Sequence, residues 1–339
     1  MASSYSNIHP VDTILTSLIN EAIPADSQLI AGSVFENVKI PEASGTFLQE
    51  NTRNFMGSPE LDLKRAPGAS RVTIGGFDRS SLTFKAEIYS AQKFIAMEDI
   101  EDSQYPGSEE ARLAKQLRRT MLLKREKRAA DLLFSTSVFT NNDSCANVMG
   151  GQIDAAGTDA VTGLDKLKDL IFASAHGINP DTIVMGRGVA RALARNPEFR
   201  SYLTVGDATK GIGVASGGSM ILNDNAVAQI IRDTLNIPYV FIGNARHETA
   251  VPGATSAEAQ IWENETIFCG ILRGSDSISQ KGGNVKGMPV AALNFDYKSL
   301  VAKQYDSQDA IRRYVYADER HVYKAIDVSL GYLVTNCLA

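Results

Sequence analysis

Residues 84–134 read FKAEIYSAQKFIAMEDIEDSQYPGSEEARLAKQLRRTMLLKREKRAADLLF, and this stretch decides the architecture. It opens inside an alternating run, Leu82-Thr-Phe84-Lys-Ala86-Glu-Ile88-Tyr89, whose period of two predicts a strand. An acidic connector, Glu98-Asp99-Ile100-Glu101-Asp102, follows. Then comes a helix predicted over 108–134. Glu109 and Glu110 sit in its first turn, where carboxylates favour the positive end of the dipole. Leu113, Leu117 and Met121 recur every fourth residue, and Ala129, Leu132 and Leu133 extend the apolar surface. At ~1.5 Å per residue such a helix runs roughly 40 Å, which makes it a strut.

Working back from the strut, the first 80 residues are thinly hydrophobic. A short amphipathic helix can start at Asp12 and must stop before Pro24, with Ile14, Leu15, Leu18, Ile19 and Ala22 on one face. At about 11 residues it is marginal alone and needs a surface to dock on. Residues 44–80 hold scattered apolar residues, prolines and glycines, and Arg71–Ile74 followed by Gly75-Gly76 predicts one arm of a hairpin. So long an excursion cannot build its own core, and it takes its order from a neighbour.

Working forward, helices and strands alternate, predicting a compact α/β layer. Thr162 caps a helix with Asp165 three residues on, Leu164, Leu167, Leu170 and Ile171 form its stripe, and Gly177 can end it. Strand Thr182–Met185 follows, then a helix through Val189, Leu193 and Ala194 that stops near Pro197. A glycine-rich loop (206–220) leads to a helix with Val227, Ile230, Ile231 and Leu235, and then to strand Tyr239–Ile242. In the tail, Gln260–Leu272 reads as a hairpin around Glu263-Asn264. Ile311–Tyr316 and Tyr323–Val334 read as two paired strands turning at Asp318-Glu319-Arg320.

Composition narrows the partners. The 339 residues are 44% hydrophobic and 22% charged, as expected of a globular protein. The net charge of -5 is opposite to that of a chain whose whole surface neutralises phosphates, so any nucleic-acid contact is local. Cys145, Cys269 and Cys337 are far apart in sequence, an odd number without a CxxC pair; they read as reduced thiols of an intracellular protein. The N-terminus lacks the pattern of a signal peptide, and no run reaches the ~20 apolar residues of a membrane span. The protein is therefore expected to be cytoplasmic where it is made.

Catalytic signatures are tested and fail. Gly186-Arg187-Gly188 joins a strand to a helix as a dinucleotide turn does, but Arg191 stands where the third small residue must be. Gly206 and Gly211 have Walker spacing, yet Ile212 replaces the phosphate-reaching lysine. His9, His176, His247 and His321 form no zinc spacing, and His176 is placed at a helix C-terminus. The acidic run 98–102 reads as a solvated face rather than an acid/base pair. Arg112, Lys115, Arg118, Arg119, Lys124, Arg125, Lys127 and Arg128 lie all round the strut without interleaved aromatics. They read as a solvated face pairing with acidic neighbours, not as a base-stacking surface. No catalytic, cofactor-binding or metal-binding residue is assigned.

The order of parts resembles the major capsid proteins of tailed bacteriophages, the Hong Kong 97 fold shared with encapsulins. The likeness lies in residues 84–134, in NPDTIVMGRGVARALARNPEFR (179–200), and in IPYVFIGNAR (237–246) followed by the closing YKAIDVSLGYLVTNCLA (323–339). It implies an α+β fold with an N-terminal arm at 1–45 and an extended E-loop at 46–80. It implies a peripheral domain of 81–150 and 285–339 carrying the spine helix 108–134, and an axial domain of 151–284, with loop 206–220 toward the capsomer centre. The function implied is structural: homo-hexamers and homo-pentamers of an icosahedral phage head around double-stranded DNA, made in the host cytoplasm. A separate scaffolding protein, a portal, weak non-specific contact with packaged DNA, and room for a decoration protein come with it; a membrane does not. The isopeptide crosslink of some members would fall on Lys64 and Asn336, and is not expected here because nothing marks the buried acid it needs. An encapsulin-type compartment is the alternative of the same fold, and a nucleotide-binding α/β enzyme the alternative of another class.

Overall fold

The computed structural model describes residues 28–50, 79–101, 106–155, 157–175, 177–197, 223–251, 254–273, 290–307 and 311–339, together with residues 64, 65, 67 and 199. The helix expected from Asp12, the strand Arg71–Ile74, His9, His176 and the glycine-rich loop 206–220 lie outside them.

Two sheets organise the chain. The first has strand order β1-β11-β12-β4, from β1 (Asn37–Lys39), β4 (Glu87–Ala96), β11 (Ala292–Ser307) and β12 (Arg312–Ala325). The second has order β5-β13-β10-β6-β7, from β5 (Asn142–Ser144), β6 (Thr182–Gly186), β7 (Tyr239–Gly243), β10 (Ile267–Gly270) and β13 (Gly331–Thr335). Two ribbons stand beside them: β2 (Ser44–Glu50) with β3 (Arg79–Lys85), and β8 (Arg246–Glu248) with β9 (Glu258–Gln260). Among the described residues the α-helices are α1 (Ala31–Val34), α2 (Met97–Glu101), α3 (Pro106–Leu133), α4 (Cys145–Met149), α5 (Ala160–Ser174), α6 (Arg187–Arg195) and α7 (Asp224–Leu235).

The alternating run 82–89 splits between a ribbon and a sheet. Ala86 is buried and donates its N–H to Ala43, and the chain leaves β3 and enters β4 there. The strut is α3, 28 residues long. It begins two residues earlier than the spacing predicts, because Pro106 needs no N–H in the first turn. Along its first half Ala114, Leu117 and Met121 pack on Ala302, Val315 and Ala317 of the first sheet. Its last turns (Ala129, Ala130, Leu133) join Phe134 in the larger core around the second sheet. The helix thus links two cores.

Strand β12 corrects the tail. Val315, Ala317, Glu319, His321 and Tyr323 are buried on the face beneath α3, so the alternation runs unbroken through Asp318-Glu319-Arg320 and no turn forms. The charged triplet imitates turn chemistry, but Glu319 faces inward and finds cationic partners. Gln260–Leu272 is likewise not a hairpin: β9 pairs with β8, β10 pairs with β6 and β13, and fully buried Trp262 lies between. The closing strand β13 pairs with β10 and β5, so the second sheet draws on both 142–144 and 331–335 as well as on 182–270.

The α/β layer forms as the sequence predicts, with a shift at one end. Asp159, not Thr162, is the N-cap of α5: its carboxylate accepts from the Val161 and Thr162 amides at 3.1 Å each. A carboxylate preceding the first turn outcompetes a hydroxyl within it. Strand β6 is buried along its whole length, as a strand covered on both faces must be.

Candidate functional site

The α3–β12 contact holds an inward-facing polar cluster. Arg128 lays its guanidinium 3.4 Å from the centre of the Tyr89 ring and reaches Glu319 Oε1 at 3.4 Å. Arg125 donates from Nε to the Tyr323 hydroxyl at 3.1 Å and lies 4.0 Å from Glu319 Oε2. Arg128 Nη1 meets His321 Nε2 at 3.4 Å. Since a guanidinium only donates, Nε2 accepts, which leaves the imidazole neutral with its proton on Nδ1, facing Glu319 Oε1 at 3.6 Å. Burial, together with Arg125 and Arg128, pushes the His321 imidazole down to about 3. Burial raises the Glu319 carboxyl, against the pull of both arginines.

Between these two arginines in the chain, on another face of α3, Glu126 is 2% exposed. Its Oε1 accepts from the Ile30 amide and from Trp262 Nε1, both at 2.7 Å, and Oε2 accepts from the Ala31 amide at 2.9 Å. One carboxylate therefore caps α1, holds the β9–β10 connection and anchors the strut. Burial raises its pKa, opposed by those three donors.

The opposite face of the first sheet is open. Phe94 pairs in register with Tyr314, and Tyr314 with Tyr305. The rings make a cross-strand ladder, with centroids 5.8 and 4.9 Å apart, and Arg312 sits 4.5 Å over Phe94. Ile88, on the same face, is 60% exposed and Phe94 53%. At the other end of the sheet the β2–β3 ribbon is joined to it by Phe84, stacked on Phe295 at 4.8 Å.

The residues singled out in the sequence fare differently. The dinucleotide-like turn is filled by the chain itself. A Cβ at Gly186 would lie 2.0 Å from the Glu263 carbonyl oxygen, and one at Gly188 2.8 Å from Asn264. Asn264 also takes the α6 amides of Gly188 and Val189, at 3.1 Å each, so the amides a phosphate would need are occupied. Arg191 pairs with Asp224 at 3.4 Å. Glu98, Asp99 and Glu101 are exposed. Among the described residues no group of His, Cys, Asp and Glu could hold a metal ion, and no helix is long and apolar enough to cross a membrane. The strut's cations divide. Arg112 and Lys127 pair with Glu109 and Asp131 near the surface, whereas Arg125 and Arg128 are turned inward rather than solvated. A planar guanidinium tolerates this because it can stack and pair at once. Lys64 and Asn336 are both exposed, and Asn336 has a φ of 55°. Sequence reasoning missed Glu126, Glu319 and His321; the signal was the unbroken alternation from Val315 to Tyr323, which places Glu319 and His321 on the face of Val315.

No family model matches the chain, and no curated protein matches it. Solved structures do. A phage-related protein from Bordetella bronchiseptica aligns over 97% of this chain and 98% of its own, at 16% identity and a TM-score of 0.66. The capsid of the cyanophage P-SCSP1u aligns over 89% and 86%, at 11% identity and 0.51. A virus-like particle from Pyrococcus furiosus aligns over 94% and 95%, at 7% identity and 0.50. The chain has the fold of phage capsid proteins, the Hong Kong 97 type, over nearly its whole length.

Proposed function

We propose that this chain is a major capsid subunit, which self-assembles into the hexamers and pentamers of an icosahedral phage head and performs no catalysis. The observation that carries this reading is the near end-to-end match to a capsid fold, 89% of the chain and 86% of the cyanophage protein. The open aromatic face supports it. Phe94, Tyr314 and Tyr305 give a subunit an open aromatic strip for a second copy. Each subunit touching many neighbours makes modest contacts sufficient.

The finer points follow from the same reading. Residues 1–45 act as the arm, 46–80 as the E-loop, 81–150 and 285–339 as the peripheral domain, and 151–284 as the axial domain. A scaffolding protein and portal assist assembly, packaged DNA is touched weakly, a decoration protein has room outside, and no Lys64–Asn336 crosslink forms. The test is imaging of purified protein at high concentration, alone and co-expressed with the products of adjacent genes, beside Phe94→Asp. Uniform closed shells lost in Phe94→Asp, with its unfolding temperature unchanged, are expected. A small discrete oligomer under both conditions, indifferent to Phe94, refutes the reading. Shells that enclose a cargo enzyme instead of DNA favour the encapsulin alternative.

A further inference from the structure

Two cysteines 192 positions apart in the chain meet under the closing strand. Strands β5 and β13 run parallel, with Ser144 opposite Thr335. Cys145 follows Ser144 directly as the first residue of α4. Asn336, in the left-handed region at φ 55°, turns the chain after β13. Cys337 is then fixed through its backbone: its amide donates to Glu265 and its carbonyl accepts from Ile153, each at 2.9 Å. Gln152 Nε2 donates to the Leu338 carbonyl at 2.8 Å, and the Ala339 amide reaches Asp154 at 3.1 Å. The same loop receives the other thiol, with Cys145 Sγ 3.3 Å from the Gly151 carbonyl. Both cysteines thus lie against the turn 151–153, where hydrogen bonding to Cys337 lowers the Cys145 thiol, and hydrogen bonding to Cys145 together with burial raises that of Cys337. Cys269 stands apart inside β10, its thiol driven up by burial.

We propose that Cys145 and Cys337 are a reversible disulfide site, closed when the protein meets a small-molecule disulfide oxidant, and that the bond fastens residues 336–339 to the second sheet. The Cys145 thiolate attacks one sulfur of the oxidant, forms a mixed disulfide and expels one thiolate. Cys337 then gives up its proton to solvent and attacks the Cys145 sulfur, forming the protein disulfide and expelling the second thiolate. Two protons leave the protein, and the oxidant takes two electrons. Both thiols are fully buried, so exchange waits on an opening of the segment between exposed Asn336 and Ala339 and is slow. A reducing cytoplasm keeps the site open, and an oxidising surrounding closes it.

The test is to incubate the purified chain with oxidised glutathione, quench with acid, alkylate in denaturant and measure the mass. The expected product is lighter by about two mass units before alkylation and takes one alkyl group, on Cys269, instead of three. Its digest contains the peptides of Cys145 and Cys337 joined. Its unfolding temperature rises by about 5–10 °C, as closing so long a loop should give, and falls back with dithiothreitol. Cys337→Ala loses that rise. Three alkylatable thiols after long incubation, a bond to Cys269 or between chains, or a rise that survives in Cys337→Ala overturns the proposal.

Discussion

Acid should loosen this protein through one buried imidazole. His321 is 1% exposed, lies against Arg128 and is neutral when folded. In the unfolded chain it takes a proton near its ordinary 6.5; folded, it does so only near 3. The depressed folded value means that the stabilisation is complete above pH 6.5 and is lost as pH falls toward 3. The slope is about 1.36 kcal/mol per pH unit, hence about 2 kcal/mol at pH 5. Glu319 acts in the opposite sense: its raised carboxyl value makes folding easier as pH falls through that value toward 4.5. The comparison must therefore be differential. Urea unfolding of unassembled wild type and of His321→Gln, whose amide oxygen falls where Nε2 lies and can still accept from Arg128, is measured at pH 7, 6 and 5. Wild type should lose about 2 kcal/mol relative to the variant between pH 7 and 5. A wild-type-minus-variant difference that stays flat refutes both the neutral tautomer and the burial assigned to it.

Two further outcomes follow from the packing. Glu126→Ala strands the Ile30 and Ala31 amides and the Trp262 indole N–H, and should cost at least about 3 kcal/mol in denaturant unfolding. Glu126→Gln, which keeps two of the three acceptor contacts, should cost less; equal losses would count against the shared carboxylate. Gly186→Ala places a methyl 2.0 Å from the Glu263 carbonyl oxygen and should lower stability by on the order of 3 kcal/mol or prevent folding. In Gly32→Ala the Cβ meets nothing within 4 Å and should leave stability within about 1 kcal/mol. A harmless Gly186→Ala would reopen the turn to ligands.

The strut, the α/β layer and the buried strand β6 were legible because each announces itself through one local period. What the sequence hid was pairing at a distance. Asp318-Glu319-Arg320 has the composition of a turn, and only the arginines some 190 positions earlier make Glu319 tolerable inside a strand. Gly186 and Gly188 look like a phosphate cradle until Glu263 and Asn264 are seen filling it. Cys145 and Cys337 look unrelated until β5 and β13 are laid side by side. Lys, Arg and Glu on a long helix are uninformative for the same reason: a 3.6-residue period says which face a residue is on, not what has been placed opposite it.

The polar cluster bears on how a subunit of the proposed shell would hold its shape. The contact of Ala114, Leu117 and Met121 with Ala302, Val315 and Ala317 is wholly apolar, and apolar burial is non-directional, so alone it would accept the helix shifted along or rotated over the sheet. Arg125 and Arg128 on Glu319, with Glu126 on Trp262 and the α1 amides, allow no such freedom. A displacement by one turn leaves a buried carboxylate without its cations and costs several kcal/mol. The α3 helix enters the second core from Ala129 onward, so fixing its angle on the first sheet also fixes the angle between the two sheets. A closed shell multiplies any error in that angle by the number of subunits around it, whereas a lone monomer would tolerate it. The buried charges therefore set the geometry of the subunit, and the apolar seams supply most of its stability.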